Sequence, residues 1–285
     1  MNFEDSTRAF GGMSILHTSG CGWGCTIPLE LTCEAYVSDS WPDISQDPHM
    51  LLKQLRPSLT DVTGFDVGDS FFYRINSNIP PSMGLKSSSA ASVSAVRLAA
   101  TVHNISLSKL EIIKIATQMQ LRAGCSMTGS YDDTWAALGK MAAVIRADSA
   151  NPAEPVASVD IESSMCTILL RGTRKSTPEK SDFRANRSKF KTARDNLMSG
   201  DIRGAIRENA YAVALSTGDG LATEIIHRLH SLDYNANISG SGPAIAVLHE
   251  QEQESHLSDI LGTYGRIITT KIVHDLYQME ELNWA

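Results

Sequence analysis

Long apolar runs are missing from this sequence. Nowhere do the roughly 18 consecutive apolar residues of a membrane-spanning helix occur, and residues 1–10 are polar and acidic rather than leader-like, so a cytoplasmic protein without a membrane partner is expected. Positive charge is also in deficit. With 25 Lys and Arg against 32 Asp and Glu, the formal net charge is −7. No global field then draws the chain to nucleic acid, and an anionic ligand would need a local basic site. The 5 cysteines are an odd number, and Cys21, Cys25 and Cys33 have no fourth ligand at zinc-finger spacing. Free thiols are expected, rather than a disulfide framework or a structural zinc.

What is present suffices for a sizeable core. At 285 residues and 42% hydrophobic content the chain fits one large domain or two of ordinary size. The Ala/Pro/Asn-rich stretch 148–155 breaks the pattern and predicts a boundary at 152, giving domains 1–152 and 153–285. Strands are expected at 25–31 and 32–37 with a turn between them, and at 71–75, 166–170, 245–248 and 266–273. Helices are expected at 49–55, from residue 90 onward, and at 186–198, 201–217 and 221–232. A further helix over 108–121 has Ser108 and Glu111 at capping-box spacing. Periodicity alone supports mixed α and β.

Two stretches carry chemistry. The first is Ile79-Pro80-Pro81-Ser82-Met83-Gly84-Leu85-Lys86-Ser87-Ser88-Ser89-Ala90. A Pro/Gly turn opens into a helix whose apolar stripe is Ala90, Val93, Val96 and Ala100, with Ser87 to Ser89 where an N-cap belongs. Unpaired N–H groups at such a start attract anions. Lys86, a cation beside the positive end of the helix dipole, is unfavourable there unless an anion joins it, and a triphosphate would be that anion. The second stretch runs from Ala123 to Gly139 and is dense in small residues, which allow close approach to a ligand. Asp132 and Asp133 then stand at the start of an apolar helical run. Asp133 is either that helix's N-cap or, with Asp132, an acid that takes the proton of an attacking hydroxyl or holds a nucleotide's magnesium.

The spacing Pro-x-x-x-Gly-Leu-x-Ser-Ser-Ser-Ala resembles the nucleotide-binding motif of the GHMP kinase superfamily. It does not match the Gly-x-x-x-x-Gly-Lys-Ser/Thr loop of P-loop enzymes. Ser82 stands where many members have a second glycine. Thr128-Gly129-Ser130-Tyr131-Asp132-Asp133 resembles the Thr-Gly-Ala-Phe-Asp-Asp segment of archaeal-type shikimate kinases, and Gly240-Ser241-Gly242-Pro243-Ala244 resembles the third GHMP signature. The glycine-spaced opening around residues 11–24 is similar to the N-terminus of the same kinases, where it lies beside the active site, with His17-Thr18 in place of Asn-Ala.

That resemblance, spanning nearly the whole chain, implies an α+β fold. Its parts would be an N-terminal domain like ribosomal protein S5 domain 2 and a C-terminal ferredoxin-like domain, with the active site between them. It implies ATP and Mg²⁺ as cofactors and shikimate as the small-molecule substrate, phosphorylated at its 3-hydroxyl. Pro81, Ser82, Met83, Gly84, Leu85, Lys86, Ser87, Ser88 and Ser89 would hold the ATP phosphates. Ser88 would meet the metal. Asp132 and Asp133 would be catalytic, Asp132 falling on the catalytic aspartate of the mevalonate kinase pattern. Thr128, Gly129, Gly240, Ser241, Gly242, Arg174 and Lys175 would bind substrate. Arg122 is a further candidate cation, and Thr269 and Thr270 are expected near the ligand. No acid occurs between Glu111 and Asp132 to serve as the mevalonate branch's further magnesium ligand, so either Asp133 substitutes or ATP, Ser88 and water hold the metal. Homoserine kinase, another GHMP kinase and a catalytically silent ligand-binding regulator are the alternatives.

Overall fold

A computed structural model describes residues 6–68, 71–139, 141–172 and 178–274. The first half contains β1 (Ser6–Leu16), α1 (Thr18–Cys21), β2 (Trp23–Ser38), α2 (Leu55–Thr63), β3 (Phe72–Ser77), α3 (Ser87–Val102), α4 (Lys109–Arg122), α5 (Tyr131–Ala137), β4 (Ala142–Arg146) and β5 (Ala157–Val159). The second contains β6 (Met165–Leu170), α6 (Lys180–Ala185), α7 (Arg187–Met198), α8 (Ile202–Thr217), α9 (Gly220–Ser231), β7 (Asn235–Ile238), β8 (Ile245–His249), α10 (Glu254–Gly262) and β9 (Arg266–Lys271).

The long strand β2 organises the first sheet. One edge pairs antiparallel with β1; the other pairs with β4 at its start and with β3 at its end. The break expected between residues 31 and 32 is therefore not a hairpin turn. Phe10 pairs with Thr32 but Gly11 pairs with Leu29, so the extra residues bulge out of one continuous strand. That bulge is where the second half attaches: Leu29 bridges Ile272, and the Val273 N–H donates to the Pro28 carbonyl at 3.1 Å. Strand β5 pairs with β4, so the first sheet continues to Val159, past residue 152, and the change of sheet falls between Val159 and Met165.

The second sheet has the order β7-β8-β6-β9, antiparallel throughout. Two strand-helix-strand crossovers flank the β7–β8 pair, which is the ferredoxin-like arrangement, with α6 to α9 filling the first crossover. The two-part α+β architecture expected from the resemblance is the one observed.

The helices expected at 108–121, 186–198, 201–217 and 221–232 form within a residue or so of their signals. Helix α4 has Ser108 as N-cap with both capping-box bonds to Glu111, and buries Ile113, Ala116 and Thr117. The helix expected at 49–55 lies instead at Leu55–Thr63, after a 3₁₀ turn at Leu52–Gln54, because Leu51, Leu52, Leu55 and Leu59 all reach the core from this later register. At α3 the N-cap is Lys86, with φ +67°, and Ser87 to Ser89 form the first turn. At α5 the N-cap is Ser130, so Asp133 lies inside the first turn and the capping reading of it falls.

A buried polar chain joins the halves. Asn209, fully buried on α8, accepts from the His17 N–H at 2.9 Å and donates through Nδ2 to Asn237 Oδ1 at 3.1 Å; Asn237 Nδ2 donates to the Ser14 carbonyl at 2.6 Å. Asn209→Ala would strand the partners at both ends. It is expected to cost about 2–4 kcal/mol, read as the urea-denaturation midpoint.

Candidate active site

Residues 83–86 form a tight loop clamped from both sides. The Gly12 N–H donates to the Leu85 carbonyl at 3.1 Å, and the Ser239 hydroxyl donates to the Gly84 carbonyl at 2.8 Å. The Ala244 N–H reaches the Met83 carbonyl at 3.3 Å. The approach is too close for a side chain: a Cβ on Gly84 would lie 2.0 Å from the Ser239 carbonyl oxygen, and its φ is +78°. Ser82 also has positive φ, +59°, so the position where a glycine is common keeps a glycine-like backbone.

The loop delivers the start of the 16-residue helix α3 into a cleft of about 830 Å³. The Lys86 side chain makes no capping bond, and the first-turn N–H groups, which have no intrahelical partner, form the positive end of the helix dipole. This arrangement fits polyphosphate. The Ser88 and Ser89 hydroxyls converge on Gln120 Oε1 of α4, at 3.2 and 2.9 Å. Gln120 therefore stands where an acid would be sought some three helical turns before Asp132. No group of three or more His, Cys, Asp or Glu able to hold a metal occurs among the described residues.

The anion beside Lys86 is a protein group. Its Nζ lies 3.0 Å from Asp133 Oδ1, with the side chains 9% and 17% exposed. The charge argument from Lys86 to a triphosphate is thereby corrected, because Asp133 already answers the cation. Asp132 sits deeper, 2% exposed, with its Oδ2 2.8 Å from the Thr26 hydroxyl and its Oδ1 taking a hydrogen bond from Thr18 at 3.3 Å. Gly24 makes room for it: a Cβ there would lie 2.6 Å from Asp132 Oδ1. Burial, then the adjacent Asp133 charge, raises the Asp132 carboxyl from the ordinary aspartate range to about 7, against the opposing pull of Lys86.

The cleft brings together most of the expected residues. Pro81, Ser82, Gly84 to Ser89, Thr128, Asp132, Asp133, Gly240 and Ser241 line it. Met83, Gly129 and Gly242 do not: Met83 contributes a carbonyl to the clamp, Gly129 packs on Leu121, and the Gly242 N–H bonds back to the Ser239 carbonyl. Arg122 points elsewhere, paired with Asp61. Thr269 hydrogen-bonds Thr167 within the second sheet, and neither it nor Thr270 lines the cleft. Arg174 and Lys175 lie outside the described residues.

Sequence reasoning did not single out Thr26, Ser14 or Gln120. Thr26 had a signal, a hydroxyl in the apolar run Cys25-Thr26-Ile27 of a strand facing the acids. Gln120 had one too, a polar residue on the buried face of α4.

The chain has the GHMP kinase fold. The family description "GHMP kinases N terminal domain" matches residues 50–140. A crystal structure of mevalonate kinase superposes with a TM-score of 0.71 at 14% identity, covering 95% of this chain and all (100%) of the other. More particular similarities are to two archaeal proteins named shikimate kinase. That of Methanocella arvoryzae is 29% identical over 233 residues, 79% of this chain and 78% of its own. That of Thermococcus kodakarensis is 26% identical over 282 residues, 93% of this chain and 98% of its own.

Two outcomes follow for the site. Gly84→Ala is expected to destabilise the fold by at least about 2 kcal/mol and to weaken binding of a non-hydrolysable ATP analogue, checked by denaturation and calorimetry. Asp132 holds its proton more tightly folded than unfolded, so stability declines as pH rises from 3.8 to about 7 and is then flat. Asp132→Asn lacks this decline, and its Tm relative to wild type is expected to climb across that window.

Proposed function

We propose that this chain is an ATP-dependent small-molecule kinase, and that its acceptor is the 3-hydroxyl of shikimate. The observation that carries the reading is a juxtaposition: the open start of α3 and a pair of carboxylates share one cleft, joined by the 3.0 Å contact of Lys86 with Asp133. Phosphoryl transfer asks a protein mainly to position its reactants and stabilise charge, and this cleft has parts for both. The archaeal relatives' name supports the choice of acceptor, as does the match of Thr128 to Asp133 with the shikimate kinase segment.

ATP would supply the γ-phosphoryl group and Mg²⁺ would neutralise its charge. The N–H groups of Ser87 to Ser89 would bind the phosphates, and the Ser88 hydroxyl would hold the metal. Asp133 Oδ1 is engaged by Lys86 and Thr26, which favours Ser88, phosphate and water as the groups that would hold it. The carboxylate pair orients the acceptor hydroxyl and receives its proton. Gly240 and Ser241, lining the cleft with Gly240 beside Lys86, are proposed contacts for the acceptor. Arg174 and Lys175 remain proposed contacts for the acceptor's carboxylate, with Thr128 beside the acids. The compartment proposed is the cytoplasm; among the described residues no helix is long and apolar enough to cross a membrane.

The test is ADP release measured with shikimate, homoserine and mevalonate in parallel. Turnover is expected with shikimate, and turnover confined to another alcohol would reassign the acceptor. No turnover with any of them would leave a ligand-binding regulator. Asp132→Asn and Asp133→Asn are each expected to lower kcat about a hundredfold while ATP still binds, on the usual scale for proton-transfer groups.

A further inference from the structure

Thr26 is fully buried on β2, and its hydroxyl has too many acidic neighbours. Oγ1 lies 2.8 Å from Asp132 Oδ2 and 2.8 Å from Asp133 Oδ1, with Ser14 Oγ at 3.2 Å. A threonine hydroxyl has one hydrogen, so it can donate to one carboxylate only. With both aspartates ionised, the other 2.8 Å contact would be a lone pair of the fully buried Thr26 hydroxyl facing a negative oxygen, which is costly. One proton on the pair removes the conflict. Lys86 selects where it goes, since its ammonium lies against Asp133 and leaves Asp132 as the acid without a cation at hydrogen-bond distance.

We infer that Thr26 is a positioning residue that couples the two carboxylates into one unit holding a single proton. Asp132 donates to the Thr26 hydroxyl, the Thr26 hydroxyl donates to Asp133, and Asp133 faces the cleft and Lys86 as the ionised member. The inference rests on the reading of the pair as proton acceptor. Its consequence for that role is directional: the resting proton sits on the buried acid, leaving the accessible one free to receive the acceptor's. The titratable groups packed around the unit are Lys86 at the start of α3 and the Cys25 thiol on β2, which burial and Asp132 hold protonated. Thr18 at the start of α1 and Ser14 on β1 complete the surround with hydroxyls.

Such a bridge favours the one-proton state over both its neighbours. With two protons Asp133 no longer draws on the hydroxyl as an anion, and with none the hydroxyl satisfies one carboxylate only. Thr26 therefore widens the pH window in which the pair holds one proton. Removing the hydroxyl should narrow it from both sides, by about one pH unit each, the scale of one charge-assisted hydrogen bond.

The experiment is a carboxyl ¹³C NMR titration of aspartate-labelled protein without substrate, with Asp132 and Asp133 assigned through their Asn variants. In wild type both resonances should move at both steps, because the steps belong to the pair. In Thr26→Val the two steps should draw together, and Thr26→Ser should restore their spacing. A Thr26→Val protein with wild-type steps would overturn the inference. If that variant does not fold, wild-type resonances that each move at one separate step would overturn it equally. Because no acceptor is present, failure of the kinase assays leaves this result readable, and failure here leaves the kinase reading standing.

Discussion

The contact between Lys86 and Asp133 is the interaction on which the site depends. It ties the start of α3 to the first turn of α5, two helices whose N-termini both point positive ends into the same cleft. Without the cation, two adjacent carboxylates would stand together in a nearly closed space, and without Asp133 a buried ammonium would face a helix dipole of its own sign. Each charge makes the other tolerable. The pair therefore fixes the turn before α3 and the acids relative to one another, the distance on which the proposed chemistry depends.

Holding that distance costs stability in specific places. Gly24 and Gly84 are positions where a side chain would collide with Asp132 or with the Ser239 carbonyl. Lys86 and Ser82 accept positive φ without being glycine. Asp132 is buried with its carboxyl raised, which lowers stability towards neutral pH. Such strain persists when the surroundings over-determine it. Here they do so through the clamp of Gly12 and Ser239 on the 83–86 loop and through the Asn209–Asn237–Ser14 chain behind it.

The second half of the chain thus does more than close the cleft. Ser239 and Asn237 lie at the end of β7, and both reach across to β1 or to the 83–86 loop. Glycine spacing in the third motif reads as a turn before a strand. Its role emerges from what it touches, since Gly240 packs beside Lys86 Nζ at a distance a side chain would crowd.

Some of this was legible from residue order and some was not, for a consistent reason. Signals that act within a turn or two were readable: the Ser108–Glu111 capping box, the helices joined at Gly200 and the strand at Phe72–Ser77. Resemblance of three spaced motifs added the α+β architecture and the expectation, met in the cleft, that the start of α3 lies with Asp132 and Asp133. Register, direction and partner were not readable. The break in β2 is a bulge against which Ile272 and Val273 bond, Arg122 turns to Asp61 on a neighbouring helix, and the anion for Lys86 comes from 47 positions further along. A hydroxyl in an apolar strand, Thr26, acquires its meaning when α5 sets two carboxylates against it. Local backbone preferences are written in neighbouring residues. Which buried charge answers which is decided when distant segments exclude water together, and that belongs to the tertiary structure.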